Sequence, residues 1–255
     1  MPFLLQALIL FLIGIVAGVV NSVAGGGTLL SFPMMIFLGV PAITANATNT
    51  VALQVGTVAS FWSYRREFAS QKKWAWRFGP PSLLGGLLGA MLLLHTSESY
   101  FRAAVPFLIL FATILFTIQP LVSRWLPTQA RGAPKSRNWL IAAIFFQFCV
   151  GIYGGYFGAG IGILMLASLS LLLAGDIHEM NSVKVLLASM INGVAALYFI
   201  VKGQVFWTDA LLIGVGAILG GYYGPVLARK VGAAVVRGFV SVVGFLMGFY
   251  FLFFH

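Results

Sequence analysis

Apolar runs about as long as a bilayer is thick recur along the whole sequence. A membrane-spanning helix needs about 20 apolar residues to cross a hydrocarbon core about 30 Å thick. Hydrophobic residues make up 60% of the chain and charged residues 8%, which excludes a soluble fold. We therefore predict an all-α integral membrane protein with about 8–10 transmembrane segments in contact with the lipid bilayer. The apolar runs are 1–20, 28–39, 45–64, 74–95, 100–120, 139–157, 160–174, 180–201, 207–228 and 236–254.

Two of these runs are too short to span a bilayer, and each follows a glycine-rich stretch. The short segments are 28–39 and 160–174, and the glycines before them lie within 24–27 and 158–162. Irregular backbone survives at membrane depth only where protein or a watery cavity covers it. The pattern therefore predicts two broken or re-entrant helices.

The two halves of the sequence resemble each other. We interpret them as two repeats, 1–123 and 139–255, joined by a polar linker, 124–138. Asn46, Gly79, Gly85, Gly86, Gly89 and Arg102 match Asn181, Gly214, Gly220, Gly221, Gly224 and Arg237 at one constant separation along the chain. Gly14, Gly18 and Gly25 match Gly151, Gly155 and Gly162 at a separation that is slightly larger.

The 15 lysines and arginines indicate how the repeats are oriented. If each repeat crosses the membrane an odd number of times, all of them except Arg102 and Lys202 lie on one side. Cytoplasmic loops of membrane proteins collect lysine and arginine. The sequence therefore predicts inverted-topology repeats with both termini outside the cytoplasm. These basic residues are better explained as flanks of spans than as a nucleic-acid site, so we expect no nucleic-acid partner.

The first apolar run is expected to remain as a helix. Residues 22–24 faintly resemble a signal-peptide cleavage site, but no basic residue precedes the run, as a signal peptide requires.

Polar residues cluster at and after the two glycine breaks, where they are unexpected at membrane depth. A polar group in hydrocarbon is costly unless it is paired or faces water. Restarting helices present amide groups and a partial positive charge, which favours anions, and Lys184 adds a full positive charge. Hydrogen bonding between helices, and snorkelling of Lys184 to the interface, are the alternatives. The candidate substrate-binding residues are Asn21, Ser22, Gly26, Gly27, Thr28, Asn46, Thr48, Asn49, Gly158, Gly160, Asn181, Ser182 and Lys184.

The other chemically active residues do not form a catalytic or metal-binding pattern. The five acidic residues all fall in or beside predicted loops, and the three histidines show no ligand spacing. A carboxylate proton relay within the spans therefore lacks its residues. We expect no cofactor, no metal and no enzymatic activity.

The motifs at the breaks resemble the sulfite exporter TauE/SafE family, also described as sulfonate-uptake permeases. The resemblance rests on 17–28, Phe32-Pro33, 38–50 and the second-half segment 154–160. It implies a multi-pass inner-membrane protein that moves sulfite, sulfoacetate or a related sulfur-containing anion. Where the family's second repeat commonly reads Ala-x-Gly-Thr-Ser, this chain has Met-Asn-Ser-Val-Lys at 180–184. This departure makes Lys184 a candidate specificity residue.

Together these observations predict a secondary transporter that binds a small sulfur-containing anion near the midplane and works by alternating access. A passive anion channel, a membrane enzyme and an assembly subunit without transport activity are the alternatives. The identity of the anion, the direction of transport, coupling to a proton or another ion, and homo-oligomer formation stay open at this point.

Overall fold

The computed structural model describes residues 3–24, 26–63, 71–125, 137–170 and 177–254, which contain ten α-helices. Six of these helices are long and apolar enough to cross a membrane. The predicted all-α membrane fold is confirmed. The helices are α1 (Phe3–Ala24), α2 (Thr28–Phe37), α3 (Ala42–Ser63), α4 (Lys72–His95), α5 (Glu98–Trp125), α6 (Arg137–Tyr156), α7 (Ile161–Ser170), α8 (Ile177–Val201), α9 (Trp207–Val231) and α10 (Ala233–Phe254).

Both predicted helix breaks are present. The first separates α1 from α2, and the second separates α6 from α7. In the second break, Gly158 and Gly160 have φ angles of +82° and +80°, a region that side chains disfavour and glycine adopts readily. The helices α2 and α7 have 10 residues each, which corresponds to about 15 Å. Neither is long enough to cross the bilayer alone.

The two breaks lie at the same depth, near the middle of α5. A Cβ atom added to Gly26 would meet the ring of Phe116, and one added to Gly160 would lie 3.6 Å from the backbone of Ala112. The helix α2 folds back along α1, because a Cβ atom at Gly27 would lie 2.6 Å from the Ala17 carbonyl oxygen. The helix α5 has 28 residues and is long enough to span the bilayer. Both breaks lie beside its middle part and therefore deep within the bilayer.

The most extensive helix packing joins the two halves. The helix α1 packs parallel to α9, and α4 packs parallel to α6. Glycines allow the two backbones to touch in both interfaces. The contacting pairs that show the parallel direction are Gly14–Ile213 and Gly18–Ala217 in the first interface, and Gly85–Phe148 and Gly89–Ile152 in the second.

These contacts follow the repeat. The helices α1 and α6 come first in their halves, and α4 and α9 come fourth, so the two interfaces are equivalent. The contacts of α3 with α8 and of α5 with α10 each join equivalent helices. Because α2 folds back on α1 and α5 runs antiparallel to α10, equivalent helices run in opposite directions. This arrangement is consistent with inverted repeats.

The contacts also correct part of the repeat alignment. A Cβ at Gly220 would meet Ile15, and a Cβ at Gly85 would meet Phe148. Since Gly85 and Gly220 are equivalent, Ile15 corresponds to Phe148. The larger separation predicted for the matches of Gly14, Gly18 and Gly25 was therefore wrong by about one helical turn. A shift of one turn along a helix brings glycines of the same face into register again. The corrected matches are Gly18 with Gly151, Gly25 with Gly158 and Gly27 with Gly160.

The carboxylate of Glu98 fixes the start of α3 beside the start of α5. Its oxygens accept hydrogen bonds from the N–H groups of Ala42 and Ile43. We call this side of the molecule the Glu98 face and the opposite side the Lys72 face. Apart from Arg102 and Lys202, the basic side chains that the structure describes lie towards the Lys72 face: Lys72, Lys73, Arg77, Lys184, Lys230 and Arg237.

Candidate functional site

A cavity of about 290 Å³ lies between the two helix breaks. Its walls come from the end of α1, the start of α2, the middle of α3, the second half of α5, the second break with the start of α7, and α8. The lining residues are Asn21, Ser22, Thr28, Leu53, Thr57, Gln119, Gly158, Gly160, Ile161, Gly162, Ile163, Asn181, Lys184, Val185, Ala188 and Asn192.

Seven of the candidate residues predicted from the sequence meet in this cavity. They come from both halves of the chain and from both breaks. Their shared location supports a single site between the repeats. The seven residues are Asn21, Ser22, Thr28, Gly158, Gly160, Asn181 and Lys184.

Three of the remaining candidates support the cavity wall from behind. The side chain of Asn49, which is 1% exposed, donates a hydrogen bond to the Thr28 hydroxyl at 3.3 Å and accepts one from Ser31. It thereby fixes Thr28 against α3. Gly26 and Gly27 lie where a side chain would collide with Phe116 and with the α1 backbone, respectively. Their function in the structure is close packing of the break.

The other three candidates lie away from the cavity. Asn46 donates to the Tyr156 carbonyl at 2.9 Å, and the Thr48 hydroxyl accepts from the backbone N–H of Phe206 at 3.0 Å. Ser182 is fully buried. Asn46 and Thr48 thus join α3 to segments of the second half, on the Glu98 side of the cavity.

The backbone at the first break offers fewer amides than expected. The N–H groups of Leu29, Leu30 and Ser31 already donate to the carbonyls of Gly26 and Gly27, at 3.1 Å each. The expectation that the restarting helix presents unpaired amide N–H groups is therefore revised for these three residues. The contribution of α2 to the cavity is the Thr28 side chain and the partial positive charge of the helix start.

Lys184 is the cation of the cavity. Its Nζ donates to Asn181 Oδ1 at 2.8 Å, and its stem packs beside Gly162, where a Cβ would lie 3.4 Å from Lys184 Cδ. None of the described lining residues is acidic, so none of them neutralises the ammonium. A cation with this surrounding attracts anions, and amide and hydroxyl groups nearby can donate hydrogen bonds to them.

Most of the α3, α5 and α8 wall was not predicted from the sequence. Helical spacing could have identified part of it, because Ala188 and Asn192 follow Lys184 at intervals of four residues on one helix face. Leu53 and Thr57 have the same spacing on α3. Gln119 carried no such signal, because the other lining residues include none from α5 at helical spacing from it.

The cavity extends towards the Lys72 face and stops short of the Glu98 face. On α8 it includes Asn181, Lys184 and Val185. Their repeat equivalents on α3 are residues 46, 49 and 50, and the cavity does not include them. The residues that both repeats contribute lie between these two groups: Leu53 with Ala188, and Thr57 with Asn192.

Aromatic side chains close the Glu98 side. Phe32, Phe101 and Phe157 are each at most 2% exposed. The Phe32 ring lies edge-on to Phe157, with centroids 5.4 Å apart, and 6.4 Å from Phe101. Tyr156 packs on Phe101 at 5.5 Å. We call these four residues the aromatic plug.

Within the described part of the chain, no group of three or more histidine, cysteine or acidic residues is placed to hold a metal ion. The cavity therefore has to be interpreted from its lysine, amides and hydroxyls.

Comparison with known proteins agrees with this architecture. The chain is 25% identical to a probable membrane transporter protein of Haemophilus influenzae, over 94% of this chain and 91% of the relative. It is 25% identical to the probable membrane transporter protein YfcA of Escherichia coli K12 (94% and 87%) and 24% identical to YunE of Bacillus subtilis 168, also a probable membrane transporter protein (94% and 95%). No solved structure matches the chain. Residues 10–251 match the sulfite exporter TauE/SafE family, and the chain therefore belongs to that family of membrane transporters.

Proposed function

We propose that the protein is a secondary transporter that moves a small sulfur-containing anion, such as sulfite, sulfoacetate or a related organosulfonate, by alternating access. Family membership supports a transporter, and the family's name supports a sulfur oxyanion. The single observation that carries the proposal is the cavity between the two breaks, whose described lining contains Lys184 and no acidic residue.

The chemistry of the cavity fits an anion with a short carbon body. Lys184 supplies a positive charge, and Asn21 and Thr28 can donate hydrogen bonds to sulfonate or sulfite oxygens. The Ser22 hydroxyl donates to the Val19 carbonyl at 2.8 Å, so Ser22 can donate to an anion only if it releases that carbonyl. Leu53, Val185 and Ala188 form an apolar part of the wall, which suits a methylene group.

A carrier fits the structure better than an open channel. The cavity is bounded by the aromatic plug on the Glu98 side and extends only towards the Lys72 face. An ion entering from the Lys72 face meets buried rings of Phe32 and Phe157 before it reaches the other side. Release to that side then requires a conformational change, as expected for alternating access.

We assign the Lys72 face to the cytoplasm of a cell whose inner membrane holds the protein. The assignment rests on the lysines and arginines that lie towards this face, because cytoplasmic ends of spans are enriched in them. Both termini would then lie on the outer side. In this orientation the cavity extends towards the cytoplasmic side.

A ligand screen followed by a flux assay tests the proposal. The purified protein is heated with sulfite, thiosulfate, sulfoacetate, taurine or sulfate, and a ligand that prefers the folded state raises the unfolding midpoint. The best ligand is then offered, radiolabelled, to proteoliposomes. Saturable uptake supports a carrier, and ohmic single-channel current would indicate a channel. If no anion raises the midpoint or crosses the membrane, the proposed function is wrong.

A further inference from the structure

The closure of the Glu98 side depends on a contact between the two halves. The Asn46 side chain on α3 donates through Nδ2 to the Tyr156 carbonyl, the last residue of α6, at 2.9 Å. Asn46 is 1% exposed. This hydrogen bond joins the end of α6 to α3 directly beside the aromatic plug, of which Tyr156 is a member.

On the Lys72 side, the residue equivalent to Asn46 makes a different contact among the described residues. In the repeat, the equivalent of Asn46 is Asn181, and the equivalent of Tyr156 in the corrected alignment is Val23. Asn181 instead accepts a hydrogen bond from Lys184 and lines the cavity. The two equivalent asparagines thus differ: Asn46 joins α3 to the end of α6, whereas Asn181 faces the cavity.

The packing indicates which parts can move together. The helices α1, α3 and α9 contact one another, and so do their equivalents α6, α8 and α4. These two bundles meet where α3 crosses α8. There Gln54 donates through Nε2 to the Ser189 carbonyl at 3.0 Å, and these two residues are themselves equivalent, with the same separation as Asn46 and Asn181. The crossing therefore lies on the two-fold axis of the repeat, and a rotation about it opens one side as it closes the other.

We propose that Asn46 and Asn181 are paired gate residues that seal opposite sides of the transport pathway in turn. In the present conformation Asn46 holds the Tyr156 carbonyl, and the cavity extends towards the Lys72 side. In the opposite conformation Asn46 releases Tyr156, and the Asn181 amide donates to the Val23 carbonyl at the end of α1. This proposal rests on the proposed transport function but does not depend on which anion is carried.

The aromatic plug explains why the present conformation is favoured. The repeat equivalents of Phe32 and Phe101 are Met165 and Val236, and those of Tyr156 and Phe157 are Val23 and Ala24. The Lys72 side thus has no aromatic residue at any of the four positions. Ring packing stabilises closure of the Glu98 side more than the smaller residues can stabilise closure of the other side.

Cysteine labelling in nanodiscs tests the gate without any substrate. Cys149, which is exposed, is replaced by serine. Val185→Cys then reports an open Lys72 side, because Val185 lines the cavity. Thr50→Cys, at the equivalent position on α3, reports an open Glu98 side. Labelling of each reporter by a bulky polar maleimide is timed in separate proteins.

Asn46→Ala removes the seal on the Glu98 side. We expect labelling of Thr50→Cys to accelerate, and labelling of Val185→Cys to slow, each by about threefold or more, since one buried hydrogen bond separates the two populations. Asn181→Ala removes the seal of the other conformation, so it should change both rates in the opposite directions. Because Asn181 lines the cavity and accepts its hydrogen bond from the neighbouring Lys184 on the same helix, this variant is expected to fold even if Asn46→Ala does not.

Ser82→Ala is the matched control. It removes a buried hydrogen bond of 2.8 Å to Gln147 that lies within one bundle, between α4 and α6, and we expect no change at either reporter. Unchanged labelling in folded Asn46→Ala and Asn181→Ala proteins, or changes in the same direction, would overturn the gate. If labelling shifts as expected while no sulfur anion binds, the gate stands and the proposed function fails. If transport is saturable while labelling stays unchanged, the proposed function stands and the gate fails.

Discussion

Lys184 and Asn181 share a hydrogen bond of 2.8 Å at the positions where the first half of the chain has Asn49 and Asn46. The same two places therefore carry a cation facing the cavity in one half and a buried, neutral amide in the other. The duplicated fold provides the cavity, and this difference between the halves gives it a positive charge.

Removing that charge should weaken anion binding. We expect Lys184→Met, which keeps much of the length of the side chain, to raise the Kd of the anion by about tenfold or more, because a hydrogen bond to a charged group contributes about 1.5–3 kcal/mol. Isothermal titration calorimetry in detergent measures the change. Lys202→Met is the control, since Lys202 is exposed near the Glu98 face and lies over the Tyr198 ring. An unchanged Kd in Lys184→Met would remove the lysine from the binding site.

The contact of α4 with α6 should not tolerate a methyl group. A Cβ added to Gly155 would lie 2.0 Å from the Gly86 carbonyl oxygen, so Gly155→Ala forces the two helices apart. We expect a destabilisation of about 1–3 kcal/mol, the usual cost of overpacking, seen as a lower unfolding midpoint. Gly238→Ala on α10 meets no atom within 4 Å and should leave the midpoint unchanged or slightly raised. Equal effects at both positions would contradict the close contact.

The carboxylate of Glu98 should stabilise the start of α3. Its two oxygens accept from the N–H groups of Ala42 and Ile43. Glu98→Gln keeps the shape and removes the charge that favours a helix N-terminus, and Glu98→Ala removes both acceptors. We expect the free energy of unfolding to fall by about 1 kcal/mol in the alanine variant and by less in the glutamine variant. Chemical unfolding in mild detergent orders the three proteins, and equal stability of all three would show that the cap is unimportant.

Reducing the aromatic plug should favour opening of the Glu98 side. Phe32→Met places on α2 the residue that the repeat has at Met165, and it removes the edge-on contact with Phe157. Aromatic pairs contribute about 0.5–1.5 kcal/mol beyond their buried area, so labelling of Thr50→Cys should accelerate severalfold. Phe78→Met is the control, because Phe78 is equally buried but stacks on Trp74, away from the plug. The same acceleration in both variants would indicate general loosening.

Much of the fold could be predicted because membrane burial leaves a strong signal in the sequence. The lengths of the apolar runs predicted the helices, because the thickness of the bilayer sets the length of a span. The glycine clusters predicted both breaks, because the backbone geometry at Gly158 and Gly160 is one that other residue types disfavour. The alignment of α1 with α6 was one turn wrong, because a shift of one helical turn keeps the glycines on one face. The register was set by two contacts together, that of Ile15 with Gly220 and that of Phe148 with Gly85.

The site could be predicted only in part, because the sequence shows which polar residues are unusual but not which way they face. Lys184 and Asn181 point into the cavity, whereas the equivalent Asn49 and Asn46 are buried in contacts within and between repeats. A pattern that is symmetric in sequence cannot show which of two sides is closed. Which side is closed follows from the large residues of the aromatic plug, whose repeat equivalents on the other side are smaller.

The most direct measurement is a structure of the protein with the anion that raises its unfolding midpoint most. We predict density for the sulfur group in the cavity between the two breaks, with an oxygen within about 3 Å of Lys184 Nζ, the length of a charge-assisted hydrogen bond. Density for the anion at another location, with the space between Thr28 and Gly158 occupied only by water, would contradict this account.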